Sequence, residues 1–211
     1  MRPRLLDLFC GDGGGGMGYH RAGFDVIGVD LAPHPDYPFE FHQGDAMAWS
    51  LDGYDVVHAS PPCPLYAATR SLHPGAAHPD LLVATIDRLR ATGVPFVVEN
   101  VEGAPYPADL FRLMLCGSSF GLRVRRHRWF VSNRMLMGFP CEHARQLDLV
   151  GVYGNSDGVG GHPGFKRGPR QPTTIEAREV MGMPWATKRK GITNAIPPAY
   201  TEHIGRQLLG S

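Results

Sequence analysis

The chain has few cysteines, almost no net charge and no long apolar segment. Its four cysteines, Cys10, Cys63, Cys116 and Cys141, lie far apart and form no Cys-x-x-Cys pair. This pattern argues against a disulfide framework or a zinc ribbon and favours a reduced, intracellular setting. No apolar run approaches the roughly 20 residues that cross a bilayer, and a strand-like segment directly after Met1 leaves no room for a signal peptide. We therefore expect a cytoplasmic protein without membrane contacts.

The charge balance excludes a global attraction to nucleic acid. The formal net charge is only +1 at pH 7, so any such binding must come from local basic clusters. With 211 residues, of which 43% are hydrophobic, the chain has the material for one domain with a core. The 27 glycines and 19 prolines predict many turns and functional loops.

Strand-like and helical segments alternate along the first half of the chain. The predicted strands cover residues 4–9, 24–30, 39–42, 54–58 and 95–101. The predicted helices cover residues 17–22, 81–91, 172–181 and 198–209. Thr173 or Thr174, with Glu176, is placed for a capping box at the third of these helices. The alternation predicts an α/β fold, with a mostly parallel sheet and helices on both faces.

A glycine-rich turn, residues 10–16, joins the first predicted strand to the first helix, and the second strand ends in Asp30. Glycines let a ligand approach the backbone closely, and an acid at this strand tip can bind both ribose hydroxyls. Asp45 closes the third strand in a similar way. The pattern is typical of a site for a dinucleotide or for S-adenosylmethionine. The spacing differs from Gly-x-Gly-x-x-Gly, which disfavours the dinucleotide.

Cys63 follows Pro61 and Pro62 directly after the fourth predicted strand. Each proline fixes its own φ and restricts the residue before it, so the loop is stiff. A thiol presented stiffly at a strand end suits a nucleophile better than a packing residue.

Taken in order, these segments resemble the cytosine-C5 DNA methyltransferase family. The resemblance spans nearly the whole chain apart from residues 140–171 and rests on eight motifs: Asp7-Leu8-Phe9-Cys10-Gly11-Asp12-Gly13-Gly14, Gly28-Val29-Asp30, Gly44-Asp45, Pro61-Pro62-Cys63, Glu99-Asn100-Val101, Arg126-His127-Arg128, residues 172–184 and Asn194-Ala195-Ile196-Pro197-Pro198.

The resemblance implies a Rossmann-like class I S-adenosylmethionine-dependent methyltransferase fold. It implies an enzyme that moves a methyl group from S-adenosylmethionine to carbon 5 of cytosine in DNA and leaves S-adenosylhomocysteine. Asp30 would hold the ribose, Leu31 would lie against the adenine, and Asp45 would accept from the adenine amino group. The implied cofactor contacts are Phe9, Gly11, Gly13, Gly14, Asp30, Leu31, Asp45, Ala46, Pro62 and Asn194.

The implied chemistry begins with Cys63, whose thiolate would add to carbon 6 and make carbon 5 nucleophilic. A protonated Glu99, with a pKa raised by burial, would stabilise the charge that develops on N3. Arg126 and Arg128 would supply positive charge in the pocket and help the thiol to ionise. Asn100 is expected to orient the loop.

Nucleic-acid binding would require the target base to leave the duplex stack. The phosphate contacts would come from local basic clusters. The residues expected to make them are Arg123, Arg125, Lys166, Arg167 and Arg170.

The chain departs from the family pattern in the target-recognition region. Residues 1–139 are interpreted as the catalytic and cofactor-binding core, 140–171 as a small glycine-rich insert in which only 147–153 look strand-like, and 172–211 as a segment that returns to the core. The short insert predicts a short target or low specificity. Pro64 and Val124 stand where the family commonly has glutamine.

Several alternatives stay open. The substrate could be RNA, single-stranded DNA or a free cytosine nucleotide. The chain could also be a catalytically silent nucleic-acid-binding relative, or it could transfer a different group to cytosine. A monomer is expected, and the small size suits a phage or mobile-element enzyme by analogy.

No metal is expected from the sequence. Cys141, His143 and His162 lack an identifiable fourth ligand, and Cys10 and Cys116 are interpreted as small buried side chains.

Overall fold

The computed structural model describes residues 1–62, 80–154 and 169–210. The predictions made for Cys63, Pro64, His162, Lys166 and Arg167 therefore lie outside the described residues.

Seven strands are found in the described part of the chain, and they form one sheet. They are β1 (Arg4–Leu8), β2 (Asp25–Asp30), β3 (Glu40–Gln43), β4 (Val56–Ala59), β5 (Phe96–Asn100), β6 (Phe111–Leu115) and β7 (Arg128–Ser132). The order across the sheet is β3-β2-β1-β4-β5-β7-β6. The first five strands pair in parallel, whereas β7 runs antiparallel to both β5 and β6.

Helices cover both faces of this sheet, as predicted. They are α1 (Gly14–Ala22), α2 (Leu81–Arg90), α3 (Thr174–Met181), α4 (Arg189–Asn194) and α5 (Pro198–Leu208). Because side chains alternate along a strand, neighbouring residues of β1 enter different cores. Leu5 packs with Tyr19 and Ile204 on the side of α1 and α5, while Leu6 packs with Ile86 of α2 on the other side. The sequence-based prediction of an α/β fold with a mostly parallel sheet is confirmed.

The first helix begins three residues earlier than the sequence predicts, because glycines that read as a loop belong to α1. A Cβ at Gly14 would lie 2.4 Å from the carbonyl oxygen of Ile196, and a Cβ at Gly18 would lie 2.1 Å from that of Pro198. The missing side chains let α1 lie directly against the C-terminal segment. The glycines of α1 therefore serve close packing, in addition to the turn before the helix.

The second half of the chain was harder to predict. The sequence reading did not identify β6, β7 or α4. The strand-like run at 147–153 contributes only an isolated bridge between Val150 and Arg170. At α3, Thr173 caps the helix by accepting from the backbone N–H of Glu176 at 3.2 Å. The Glu176 side chain bonds to Arg170, with Arg170 Nη1 2.6 Å from Glu176 Oε2.

The sheet topology gathers one end of each of the seven described strands at one edge. The carboxyl ends of β1 to β5 lie together, and the strand order reverses between β1 and β4, where open α/β sheets bind their ligands. Because β7 is antiparallel to β5, its first residue lies at this same edge. Trp129 pairs with Asn100, which brings the neighbouring Arg128 close to the end of β5.

No described helix is long and apolar enough to cross a membrane.

The contact between α1 and α5 predicts different effects for two alanine substitutions in one helix. Gly18→Ala forces a Cβ against backbone, and we expect the free energy of unfolding to fall by about 1–3 kcal/mol. Gly15→Ala is the matched control, because a Cβ there would meet its nearest atom at 3.5 Å. Urea unfolding of both variants measures the difference. Equal free energies of unfolding for the two variants would contradict the close packing of α1 against α5 at Gly18.

Candidate active site

The turn after β1 is joined to the end of β2. The backbone N–H of Gly11 donates to Asp30 Oδ2 at 3.1 Å, and that of Ala32 donates to Asp30 Oδ1 at 3.0 Å. Gly11 has a φ of 52°, and a Cβ added to it would meet no atom within 4 Å. A fixed carboxylate therefore lies beside open space that a ligand can enter.

Gly13 and Gly14 differ from Gly11 in their surroundings. A Cβ at Gly13 would lie 2.7 Å from the Pro38 side chain, and one at Gly14 would collide with the backbone of Ile196. Both glycines are buried. Their missing side chains are thus needed for packing, whereas Gly11 alone of the three borders open space.

The other residues expected to bind a cofactor lie along the same edge or near it. Leu31 is 74% exposed directly after Asp30, and Asp45 is exposed with its Oδ1 accepting from the backbone N–H of Met47 at 2.8 Å. Ala46 is buried, and Asn194 is exposed at the end of α4. This part of the edge offers two carboxylates and one exposed apolar side chain.

Phe9 bends the chain where β1 ends. Its φ of 58° is unusual for a residue with a side chain. The half-buried ring packs with the core that contains α2, and this packing holds the bend that leads into the Gly11 turn.

His34 is a member of this edge that the sequence reading missed. Its Nδ1 lies 2.6 Å from Asp12 Oδ1 and its Nε2 lies 3.5 Å from Asp30 Oδ1. The ring therefore bridges the turn after β1 to the acid at the end of β2. Nothing in the local sequence indicates this contact, because His34 follows β2 in an irregular segment.

Glu99 is the buried acid of the site. It lies near the end of β5, and Arg128 Nε is 2.9 Å from its Oε1. Arg128 also donates through Nη1 to the carbonyl of His127 at 2.8 Å. Glu99 and Arg128, which the sequence analysis placed in the site for separate reasons, are thus in direct contact.

Opposing effects act on the pKa of Glu99. Burial is the largest of them and raises this pKa above its usual value, while Arg128, Arg126 and a hydrogen bond from Ser60 lower it. The net direction is upward. Glu99 is consequently easier to protonate than an ordinary glutamate, as the sequence-based hypothesis requires.

Asn100 holds the loop that leads to Cys63. Its Nδ2 donates to the carbonyl of Pro61 at 3.0 Å, and its Oδ1 accepts from the N–H of Val101 at 2.9 Å. Asn100 and Pro61 are both buried, whereas Pro62 is exposed and is the last described residue of this loop. The loop therefore leaves the sheet edge from an anchored position.

Tyr19, His58 and Ser60 form a row of hydrogen bonds next to the site. The sequence did not predict it. His58 Nδ1 lies 3.0 Å from the hydroxyl of Tyr19, and its Nε2 lies 2.9 Å from Ser60 Oγ. Burial lowers the pKa of His58 to about 3, so the ring is neutral near pH 7. Since Ser60 also bonds to Glu99, the row connects α1 to the buried acid.

Arg126 contacts backbone on two other segments. Its guanidinium donates to the carbonyls of Thr193 at 2.6 Å and Val152 at 3.3 Å, and its own carbonyl accepts from the hydroxyl of Tyr200 at 2.7 Å. Arg126 has a φ of 24°. These contacts join the insert and the C-terminal segment to the site, so Arg126 positions backbone as well as adding positive charge.

Acidic partners neutralise two of the arginines expected to contact phosphate. Arg123 pairs with Asp148 and with Glu176, the latter at 3.0 Å. Arg170 Nη1 donates to Glu176 Oε2 at 2.6 Å. Such pairing reduces the charge that each can offer to a nucleic acid.

The remaining basic residues give a smaller described surface. Arg125 Nε donates to the neutral side chain of Gln146, at 3.2 Å from its Oε1. Lys166 and Arg167 lie outside the described residues, so their role stays a prediction.

The fold is the Rossmann-like class I fold of S-adenosylmethionine-dependent methyltransferases, as the motif resemblance implied. Neither a model of a protein family nor a curated protein matches the chain. Similar solved structures do exist, and the three described next are methyltransferases.

Three of these structures match almost over their full length. A protein described as a DNA modification methyltransferase encoded within a prophage, from E. coli, has a TM-score of 0.69 and 15% identity over 99% of each chain. The Dnmt2 methyltransferase of S. pombe has a TM-score of 0.68 and 14% identity over 100% of this chain and 99% of that one. The Entamoeba histolytica methyltransferase EhMeth has a TM-score of 0.66 and 12% identity over 100% and 98%. At these identities the likeness establishes the fold.

The sheet edge that carries the Gly11 turn, Asp30, Leu31 and Asp45, called the cofactor edge below, allows a direct test of Asp30. If the Asp30 carboxylate binds the ribose as expected from the sequence, its loss removes charge-assisted hydrogen bonds, and Asp30→Ala should weaken S-adenosylhomocysteine binding at least about tenfold. Asp25→Ala is the matched control, since Asp25 is exposed at the opposite end of the same strand. Calorimetric titration of both variants, with melting curves to verify folding, measures the effect. Equal affinities would refute the assignment of Asp30.

Proposed function

We propose that the protein methylates carbon 5 of cytosine in DNA, using S-adenosylmethionine and a transient bond between Cys63 Sγ and carbon 6. The observation that carries this proposal is the buried ion pair of Glu99 and Arg128. It lies beside Asn100, which anchors Pro61 two residues before the thiol. An acid, a guanidinium and the approach to a cysteine are thus assembled at the ligand-binding edge of a methyltransferase fold.

The cofactor edge fits a nucleoside. The open space at Gly11 admits the ligand, the Asp30 carboxylate suits the ribose hydroxyls, and the exposed Leu31 gives an apolar surface for adenine. Asp45 offers an acceptor to the adenine amino group. When bound, S-adenosylmethionine supplies an electrophilic methyl group.

Cytosine carbon 5 is a poor nucleophile and requires activation. The Cys63 thiolate adds to carbon 6, which forms the S–C bond and moves the ring electrons toward N3. Glu99 donates its proton to N3 and so prevents charge from accumulating there. Carbon 5 is then enamine-like and can take up an electrophilic methyl group. The upward shift of the Glu99 pKa supports this role, because the carboxyl must take up a proton before it can donate one to N3.

The ring returns to aromaticity by the reverse movements. A base removes the proton from carbon 5, the double bond between carbons 5 and 6 forms again, and Cys63 leaves as the thiolate. N3 returns its proton to Glu99. The base passes the carbon 5 proton to water, so the overall reaction releases one proton and the enzyme ends in its starting protonation state.

The neutral row of Tyr19, His58 and Ser60 supports the orientation of Glu99. The pKa of His58 near 3 keeps that ring uncharged, so it adds no positive charge that would favour ionised Glu99. Arg128 holds the carboxyl in place. We infer that these contacts fix the position of Glu99 while burial raises its pKa and so favours uptake of a proton.

Single-stranded DNA and RNA form the second substrate class. Because Arg123 and Arg170 pair with Glu176, they attract the phosphates of a duplex less strongly. Less binding energy is then available to unstack a cytosine, which favours a substrate whose cytosine is already unstacked. Duplex DNA remains the proposal because of the motif resemblance and the description of the E. coli structure.

A substrate panel tests the proposed function. The protein is incubated with methyl-labelled S-adenosylmethionine and with duplex DNA, single-stranded DNA, RNA or cytidine nucleotide, and the products are digested to nucleosides. We expect labelled 5-methylcytosine from duplex DNA and no label with the Cys63→Ser variant. Label found only in RNA, single-stranded DNA or nucleotide would show that duplex DNA is not the substrate and would assign the labelled class instead. Binding without label in any arm would indicate a silent relative, and label elsewhere on the base would refute the chemistry.

Glu99→Gln separates catalysis from binding. The amide keeps the shape of the side chain but cannot donate the proton, so we expect turnover to fall about 100- to 10,000-fold. Cofactor affinity should stay within about threefold of the wild-type value, since Asp30 and Leu31 are untouched. Glu102→Gln, at an exposed position three residues further on, is the matched control. Single-turnover rates that are equal for both variants would remove Glu99 from the mechanism.

A further inference from the structure

Two cysteines and two histidines converge at a place that the proposed reaction does not use. They are Cys116, His127, Cys141 and His143, and their ligand atoms all lie within 4.8 Å of one another. His143 Nε2 is 3.3 Å from Cys116 Sγ and 3.2 Å from His127 Nε2. His127 Nε2 is 3.6 Å from Cys141 Sγ.

These separations match the edges of a zinc coordination tetrahedron. With Zn–S bonds near 2.3 Å and Zn–N bonds of 2.0–2.1 Å, neighbouring ligand atoms are separated by about 3.3–3.8 Å. A hydrogen bond between two imidazoles explains one of the short distances. It does not explain why two sulfur atoms approach the same pair of nitrogens.

The fold holds the four residues from three directions. Cys116 directly follows β6 and is fully buried, and His127 directly precedes β7. The pairing of Leu115 with Arg128 fixes these two strand ends relative to each other. Cys141 and His143 come from the segment around the short 3-10 turn His143–Arg145.

A neighbouring hydroxyl also orients the sulfur of Cys116. Ser118 Oγ donates to Cys116 Sγ at 3.1 Å and accepts from the N–H of Glu142 at 3.0 Å. Such outer contacts orient the ligands of metal sites. Without a metal, the Cys116 thiol donates to the carbonyl of Arg125 at 2.9 Å, and this is the proton that a metal ion would displace.

We propose that Cys116, His127, Cys141 and His143 bind one Zn²⁺ ion as a structural site. A set of two sulfur and two nitrogen donors at tetrahedral spacing selects zinc. Binding releases the protons of both thiols, and each neutral imidazole coordinates through Nε2. All four positions are filled by protein, so the ion has no open position for a substrate.

The site links the target-recognition region to the catalytic strand. His127 is bonded in sequence to Arg128, which pairs with Glu99, while Cys141 and His143 lie at the start of the insert. The ion would fix the insert against β7. The spacing, with ten, thirteen and one residues between successive ligands, resembles no short zinc motif, which is why the sequence reading expected no metal.

Metal analysis of the purified protein tests this proposal without any assay of activity. The protein is kept under a thiol reductant, so that no disulfide between Cys116 and Cys141 can form. It is loaded with Zn²⁺, separated from free metal and analysed by plasma mass spectrometry. Co²⁺ is then added to protein stripped with a chelator. We expect about one zinc per chain and a visible cobalt spectrum with thiolate charge-transfer bands.

The variants Cys141→Ser and His143→Gln identify the ligands at positions that are not fully buried. Each should weaken zinc binding at least about tenfold and change the cobalt spectrum. Cys10→Ser and His203→Gln are the matched controls and should retain the metal, because neither of these described residues belongs to the cluster.

Three outcomes would overturn the site. They are wild-type protein that binds neither ion, zinc content that is equal in ligand and control variants, and a cobalt spectrum without thiolate bands. A fall in the melting temperature on chelation that occurs in wild type and is absent from Cys141→Ser would add support. This test is independent of methyl transfer, so its failure would leave the proposed function intact.

Discussion

The ion pair between Glu99 and Arg128 is the contact on which the candidate site depends. Glu99 is the penultimate residue of the buried strand β5, where an unpaired carboxylate would be costly. Arg128 offsets this cost without abolishing the upward shift of the pKa, because burial remains the larger effect. The carboxyl is therefore both oriented and easy to protonate, which are the two properties that a proton donor to a pyrimidine nitrogen needs.

The sheet topology brings this pair to the cofactor edge. Five parallel strands place the Gly11 turn, Asp30 and the Pro61 loop on one side, and the antiparallel β7 adds Arg128 from the opposite chain direction. The C-terminal segment closes the arrangement, since α5 lies against α1 and Thr193 accepts from Arg126. The N- and C-terminal parts of the chain thus build one site together.

The sequence was informative where local pattern determines structure. Asp30 and Glu99 end apolar runs, and such runs form buried strands whose ends meet at one edge, so both positions could be predicted. The contacts of His34, His58 and Arg126 could not, because they join segments that only the folded chain brings together. The cluster of Cys116, His127, Cys141 and His143 depends likewise on the pairing of β6 with β7. No local periodicity in the sequence predicts that pairing.

Trapping with 5-fluorocytosine measures the central chemistry most directly. Fluorine at carbon 5 cannot leave as a proton does, so the enzyme that has added to carbon 6 and transferred its methyl group stays bonded to the DNA. The account predicts a denaturation-resistant complex that requires S-adenosylmethionine and whose cross-linked peptide contains Cys63. A complex that forms equally well with Cys63→Ser, or active enzyme that forms no complex, would contradict it.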